Sequence, residues 1–414
     1  MPWDGALRPI TIARYWGHSM PTDVDMVAPQ DASCSEERAG KVGFLFGIGH
    51  GHYTQYLNFK ECIPSELAGR AEWVPLYGDH SGDRLSKMGL IPAGRRYSRH
   101  QIWHAWQGVR RHEQWDALFI ASLSSRFLPI ARRHRTFFYC DISESGLNEL
   151  DYDPPSEGRF LRAIKNAMQN RVIHASAGVF TMSQWAAAGI HKDTGLPRDR
   201  IHVVLPGANL NRWRYVDRSG RDSSRPVRIL MVGGWFRLKG GPELLEWAEQ
   251  TKMRGWEMDI VTWQGGLPSW VQEVAGPEVE GKRTISLGPR LPNVRLHFGL
   301  TANTPEVMGL YEQADIFCLP TRADASSMAS LEAMACGLPV LVNATGGIPE
   351  LVNSEETGIL MPRGDTSALA CQLERLIEDR ELRHRLGVNA RRACEAFYNT
   401  PRQVRDIFAV LDRA

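Results

Sequence analysis

Short apolar runs alternate with helical patterns in this chain, in two rounds separated by a polar stretch. The first round opens at 42-VGFLFGIGHGHYTQYLNFKECI-63. Val42 to Phe46 reads as a buried parallel strand, a Gly-rich turn follows, and a helical pattern starts at His52. Strand, turn and helix in that order begin a βαβ unit. Further apolar runs come at 117-ALFIASL-123, 136-TFFYC-140, 178-GVFTM-182 and 201-IHVVL-205. The stretch 217-DRSGRDSSRP-226 is polar and closes in Pro, which reads as a linker. The rhythm then restarts at 228-RILMVGG-234, 258-MDIVTW-263, 294-VRLHFG-299, 316-IFCLP-320 and 339-PVLVNA-344. At 414 residues the chain is too long for one core. The expected fold is α/β: two Rossmann-like αβα domains, residues 42–216 and 227–396, facing across a cleft. Residues 1–41 read as an extension, and 397–414 as a closing helix able to cross back to the first domain.

Composition excludes several function classes. A formal net charge of +2 gives no global attraction for nucleic acid. Seven Cys, an odd number with no C-x-x-C pair, fit single buried thiols in a reducing compartment. No basic segment leads into an apolar one at the N-terminus, and no apolar run approaches the roughly 18 residues of a membrane span. The expected location is the cytoplasm, with peripheral contact at the inner membrane face. Basic clusters at Arg95, Arg96 and Arg99, at Arg110 and Arg111, and at Arg132, Arg133 and Arg135, with Trp103 and Trp106 among the first two, suit an anionic surface or a lipid-linked ligand.

Two segments of the second half carry chemistry. In 231-MVGGWFRLKGGPELLEWA-248 a strand ends at Gly233 and Gly234, Arg237 and Lys239 lie in the loop, and a helix starts near Pro242. Two cations in a Gly-rich turn at the carboxyl end of a strand suit a diphosphate. No G-x-x-x-x-G-K-[ST] is present, so the turn is not a Walker loop. In 324-DASSMASLEAMACGLPVLVNATGGIPELV-352, Asp324 precedes a helix and Glu332 lies within it. That helix's first N–H groups form an anion site, and Ala325, Ser326, Ser327 and Met328 lie where a ligand would approach the backbone. Asp324 is read as reaching the hydroxyls of a sugar, and Glu332 as facing the crevice to accept hydrogen bonds from a vicinal diol.

Asp324, seven residues, then Glu332 within 331-LEAMACGLPV-340 resembles the E-x7-E signature of retaining GT-B glycosyltransferases of family four, the glycosyl transferases group 1. The segments 345-TGGIPELV-352, 357-TGILMPRGD-365 and 232-VGGWFRLKGG-241 match the same pattern, and 181-TMSQWAAAGI-190 with 201-IHVVLPGANLNRW-213 resembles the stretch before the linker. The first acid is Asp rather than Glu. Gly234 stands where many members have an Arg, so that role is carried to Arg237.

The resemblance implies a GT-B fold and transfer of a sugar, with retention, from a UDP- or GDP-sugar to a hydroxyl of a glycan or lipid-linked glycan. It implies no metal, the diphosphate being neutralised by Arg237, Lys239 and helix N–H groups. It also places 47-GIGHGHYTQY-56 across the cleft, with Gly49, Gly51, His50 and His52 as its candidates, and Asp141, at a strand's carboxyl end, near the reacting sugars. The other readings are a non-catalytic nucleotide-sugar or glycan binding protein that kept the fold, and a phosphorylase, for which no second basic motif is present.

Overall fold

The computed structural model describes residues 40–48, 51–77, 105–110, 114–123, 125–150, 159–277 and 281–413. Two sheets account for all the described strands. The first holds β1 (Lys41–Ile48), β2 (Ala71–Tyr77), β3 (Trp115–Ala121), β4 (Thr136–Tyr139), β5 (Gly178–Thr181) and β6 (Ile201–Val203), in the order β2-β1-β3-β4-β5-β6. Every pairing in it is parallel. The second holds β7 (Val227–Val232), β8 (Trp256–Val261), β9 (Arg283–Leu287), β10 (Leu291–Phe298), β11 (Ile316–Leu319), β12 (Val340–Asn343) and β13 (Gly358–Met361), in the order β13-β12-β11-β7-β8-β10-β9. It is parallel except for β9, which runs antiparallel to β10. The near-continuous Val, Ile, Leu and Phe runs are what strands covered on both faces require.

The helices that position the site and join the halves are α1 (Gly51–Cys62), α2 (Glu144–Glu149), α3 (Arg159–Ala175), α4 (Gln184–Thr194), α5 (Gly241–Gln250), α6 (Pro305–Gln313), α7 (Met328–Ala335), α8 (Thr366–Glu378), α9 (Arg380–Ala396) and α10 (Thr400–Arg413). Asp365 caps α8, its carboxylate accepting from the Ala368 N–H at 2.8 Å. Ser183 caps α4 in the same way through Ala186 N–H at 3.1 Å. Both caps are legible in sequence.

Strands β2, β9 and β13 escape the sequence reading. β2 carries Pro75 opposite Phe46 and is an edge strand, where a residue without an N–H is tolerated. β9 is the opposite edge, buried on one face only.

The halves are joined twice, side by side. Ala208 N–H donates to the Tyr398 carbonyl at 2.9 Å, and Thr400 N–H donates to the Ala208 carbonyl at 3.0 Å. Beyond that point α10 returns to the first sheet, where Val404, Ile407, Phe408 and Leu411 share a core with Val42, Phe44, Phe46, Phe59 and Phe119. Arg70 pairs with Asp412 at 2.5 Å, and Arg405 with Glu66 at 3.1 Å. The polar stretch 217–226 is irregular but docked on the second half. Arg218 donates to the carbonyls of Tyr311, Ala314 and Cys336, and Arg221 and Arg225 converge on Asp315.

Candidate active site

The strand order of the second sheet reverses at β7, between β11 on one side and β8 on the other. A crevice outside the carboxyl ends of the strands opens at such a reversal. Gly233 and Gly234 leave β7 there. The turn closes at Gly240, which has φ 86° and on which a Cβ would lie 2.3 Å from the Pro320 carbonyl oxygen, so glycine alone fits. The turn is thereby pressed against the end of β11, and Pro242 opens α5.

Lys239 is what this turn delivers. Its stem lies over Gly233, and its Nζ donates to Asp324 Oδ2 at 2.6 Å and to the Ala323 carbonyl at 3.4 Å. Asp324 is 8% exposed. The two residues lie 85 positions apart in sequence and meet because β7 and β11 are parallel neighbours. Ser327 caps α7 by accepting from Ser330 N–H at 3.2 Å. The Ala325 carbonyl accepts from Gly347 N–H at 2.9 Å, which lays the loop after β12 against the same turn. Between them the hydroxyls of Ser326 and Thr345 are buried with no hydrogen-bond partner among the described residues. Two orphaned hydroxyls beside a buried ion pair are groups for a polar ligand to satisfy. Met328 begins α7 and is half-buried.

Other site expectations fare differently. Glu332 does not stand open to the crevice. It is 5% exposed, and the Tyr311 hydroxyl of α6 donates to its Oε2 at 3.2 Å. The reason is that Ser330 to Ala335 are all buried, so α7 is covered on every side. Burial pushes the Glu332 carboxyl up to about 8, outweighing the opposing effects of the Tyr311 hydrogen bond and the Arg212 charge. Arg237 is exposed, with its stem near Gly266 rather than at the ion pair. Asp141 follows β4 and is half-buried. It is not the cap of α2, since Ser143 accepts the Gly146 N–H at 3.1 Å. Gly51 and His52 open α1, without a described side chain for His52. Gly49 and His50 lie outside the described residues, as do Arg95, Arg96, Arg99, Arg111 and Trp103.

Sequence reasoning missed three participants. Tyr311 gives no motif signal, because its partner arrives from a different helix. Glu350 lies inside the segment 345–352 but shows its role only in space: its carboxylate accepts the N–H groups of Gln184 and Trp185 at 2.7 and 2.9 Å, closing the N-terminus of α4 in the other half. Trp263, read only as the end of a strand, lies over Gly234.

Comparison with known proteins bears on the second half and on the fold. The family model described as "Glycosyl transferases group 1" matches residues 216–393. A D-inositol 3-phosphate glycosyltransferase of Corynebacterium jeikeium is 33% identical over 196 residues, which are 45% of this chain and 46% of that protein. The chain thus spans about half the length of that curated relative. Among solved structures, the sucrose-phosphate synthase from Thermosynechococcus elongatus superposes with a TM-score of 0.66 at 18% identity, covering 90% of this chain and 99% of that one. The Anabaena protein HepE, solved in complex with UDP-glucose, gives 0.63 at 16% identity, covering 91% and 100%. Those likenesses establish a GT-B fold. Residues 216–393, the part of the chain that carries β7–β13, match the glycosyl transferases group 1 family.

Proposed function

We propose that this chain is a retaining glycosyltransferase that moves a sugar from a UDP- or GDP-sugar to a hydroxyl of a glycan or lipid-linked glycan. The observation that carries the reading is the Lys239–Asp324 pair, 2.6 Å apart at the reversal of the second sheet. In this reading Lys239 exchanges Asp324 for the donor's diphosphate, and the freed carboxylate takes hydrogen bonds from the donor sugar. Ser326, Thr345 and the first N–H groups of α7 contribute donors, with Arg237 swinging in from the rim. Glu332 is buried in this structure with one carboxylate oxygen held by Tyr311, and its other oxygen accepts from the ribose diol once the donor is bound. The acceptor oxygen bonds to the anomeric carbon on the face that the leaving phosphate vacates. The bond from anomeric carbon to phosphate oxygen breaks, and that oxygen takes the acceptor's proton. Preorganised charge on the diphosphate lowers the barrier. In this reading Asp141 takes a hydrogen bond from the acceptor or the donor sugar.

The first half has a face suited to an anionic membrane, where a lipid-linked acceptor would lie. Phe160, Ile164 and Met168 of α3 are 77%, 43% and 45% exposed and recur every fourth residue. Exposed Arg171 follows on α3, and exposed Arg132 and Arg133 close the segment against which α3 packs. An apolar stripe with cations at its margins is the pattern of interfacial helices. No described helix is long and apolar enough to cross a membrane.

The testing experiment is calorimetric titration with UDP, GDP and ADP without metal, on the native chain and on Lys239→Ala. Binding of one nucleotide that collapses in the variant supports the reading. No binding by the folded native chain overturns it. Binding without turnover of any matching sugar nucleotide moves the protein to the non-catalytic reading, which the shorter acid at position 324 keeps open.

A further inference from the structure

Trp263 and Trp235 occupy a place that neither motif nor mechanism has used. Trp263 follows β8. Its N–H donates to the Gly234 carbonyl at 2.9 Å, which pins its backbone to the turn after β7. Its indole lies on Gly234, where an added Cβ would come within 2.5 Å of Trp263 Cε2. Gly233 is covered by the Lys239 stem and Gly234 by the Trp263 ring. The Lys239 stem and the Trp263 indole therefore lie over consecutive residues, whose Cα atoms are ~3.8 Å apart. Any long side chain at position 234 is excluded by the ring. Trp263 is nevertheless 46% exposed and Trp235 39% exposed, with ring centroids 6.1 Å apart and an interplanar angle of 64°. Two neighbouring, partly exposed Trp rings at the mouth of a crevice form a surface suited to a flat ligand.

The order of the sheet says which part of a ligand meets them. β11, β7 and β8 are parallel neighbours, so their carboxyl ends lie in a row. Read along that row, they present Asp324, then Lys239, then Trp263. If Lys239 holds the diphosphate and Asp324 the sugar, Trp263 lies on the opposite side of the diphosphate from the sugar. In a nucleotide-sugar that side carries the nucleoside. We propose that Trp263, with Trp235 as its edge, is the stacking platform for the nucleobase of the donor, and that the indole takes the space an Arg at position 234 would need. The assignment rests on the donor-site reading above. Because every base has a π-face, the platform supplies affinity without choosing among bases.

The test is titration of UDP, GDP and ADP, and separately of inorganic pyrophosphate, into the native chain, Trp263→Ala, Trp263→Leu and Lys239→Ala. Trp263→Leu keeps an apolar cover over Gly234 without a stacking face. Thermal melts check that each variant is folded. The expected result is that both Trp263 variants weaken the nucleoside diphosphate about tenfold or more while leaving pyrophosphate affinity unchanged. Lys239→Ala should weaken both ligands. Native-like nucleotide affinity in both Trp263 variants, with Lys239→Ala still impaired, overturns the platform and leaves the donor site standing. Equal weakening of pyrophosphate by Trp263→Leu also overturns it, since the indole would then act only by holding the turn. A native chain that binds no nucleotide overturns the donor site and the platform together.

Discussion

Asp324 is one methylene shorter than Glu, yet its carboxylate reaches Lys239 Nζ at 2.6 Å. Each partner therefore competes with the ligand proposed for the other. Asp324→Asn should bind UDP at least as tightly as the native chain, because Lys239 loses its competing anion. Transfer should fall about 100-fold or more if the carboxylate holds the reacting sugar. Calorimetry set beside turnover separates the two effects. Glu332 makes a pH prediction. Its ordinary value of 4.5 is raised by burial to about 8. Between those values the folded chain keeps a proton that the unfolded chain releases, so this group's stabilising contribution is full below 4.5 and is lost as pH rises through about 8. A diol donating to the carboxylate favours the ionised form, so nucleotide affinity should increase as pH is raised toward 8. Titrations across that range should show the slope in the native chain and a flatter one in Glu332→Gln.

Glu350 joins the elements on which opening and closing of the cleft would depend. Its half-buried carboxylate closes the N-terminus of α4 across the two halves, and the Tyr398 hydroxyl donates to its carbonyl at 2.9 Å. Glu350→Ala leaves two N–H groups at the start of α4 without an acceptor, and Ser183 still caps Ala186. The expected loss is about 2 kcal/mol, the range for hydrogen bonds to a charged group, read as a lowered denaturant midpoint. A looser relation between the halves should also appear as a larger radius of gyration in solution scattering. The segment around Glu350 stands out in sequence for its glycines, while the carboxylate does not. Its partners lie 165 and 166 positions away, and no local pattern reports them.

For the whole molecule, the bared stripe of α3 and its cations lead to a flotation experiment. The native chain should float with vesicles containing anionic lipid and not with neutral ones. Phe160→Ser with Ile164→Ser should abolish flotation without lowering thermal stability, since both side chains are already exposed. A variant that floats as the native chain does removes this face from the membrane proposal. Sequence by itself determined which residues form most of the strands, because burial on both faces demands continuous apolar runs, and it marked the turns and caps, because glycine's positive φ and a short side chain's hydrogen bond act within a few residues. It also marked the loop of Lys239 and the acid-bearing helix as parts of one expected site. Only the tertiary structure decided that Glu332 faces Tyr311 in the interior, that α10 completes the first core, that Glu350 binds the opposite half and that Trp263 roofs Gly234. Each of these contacts joins residues from separate elements, and their geometry is set by strand order and packing, which no window of sequence contains.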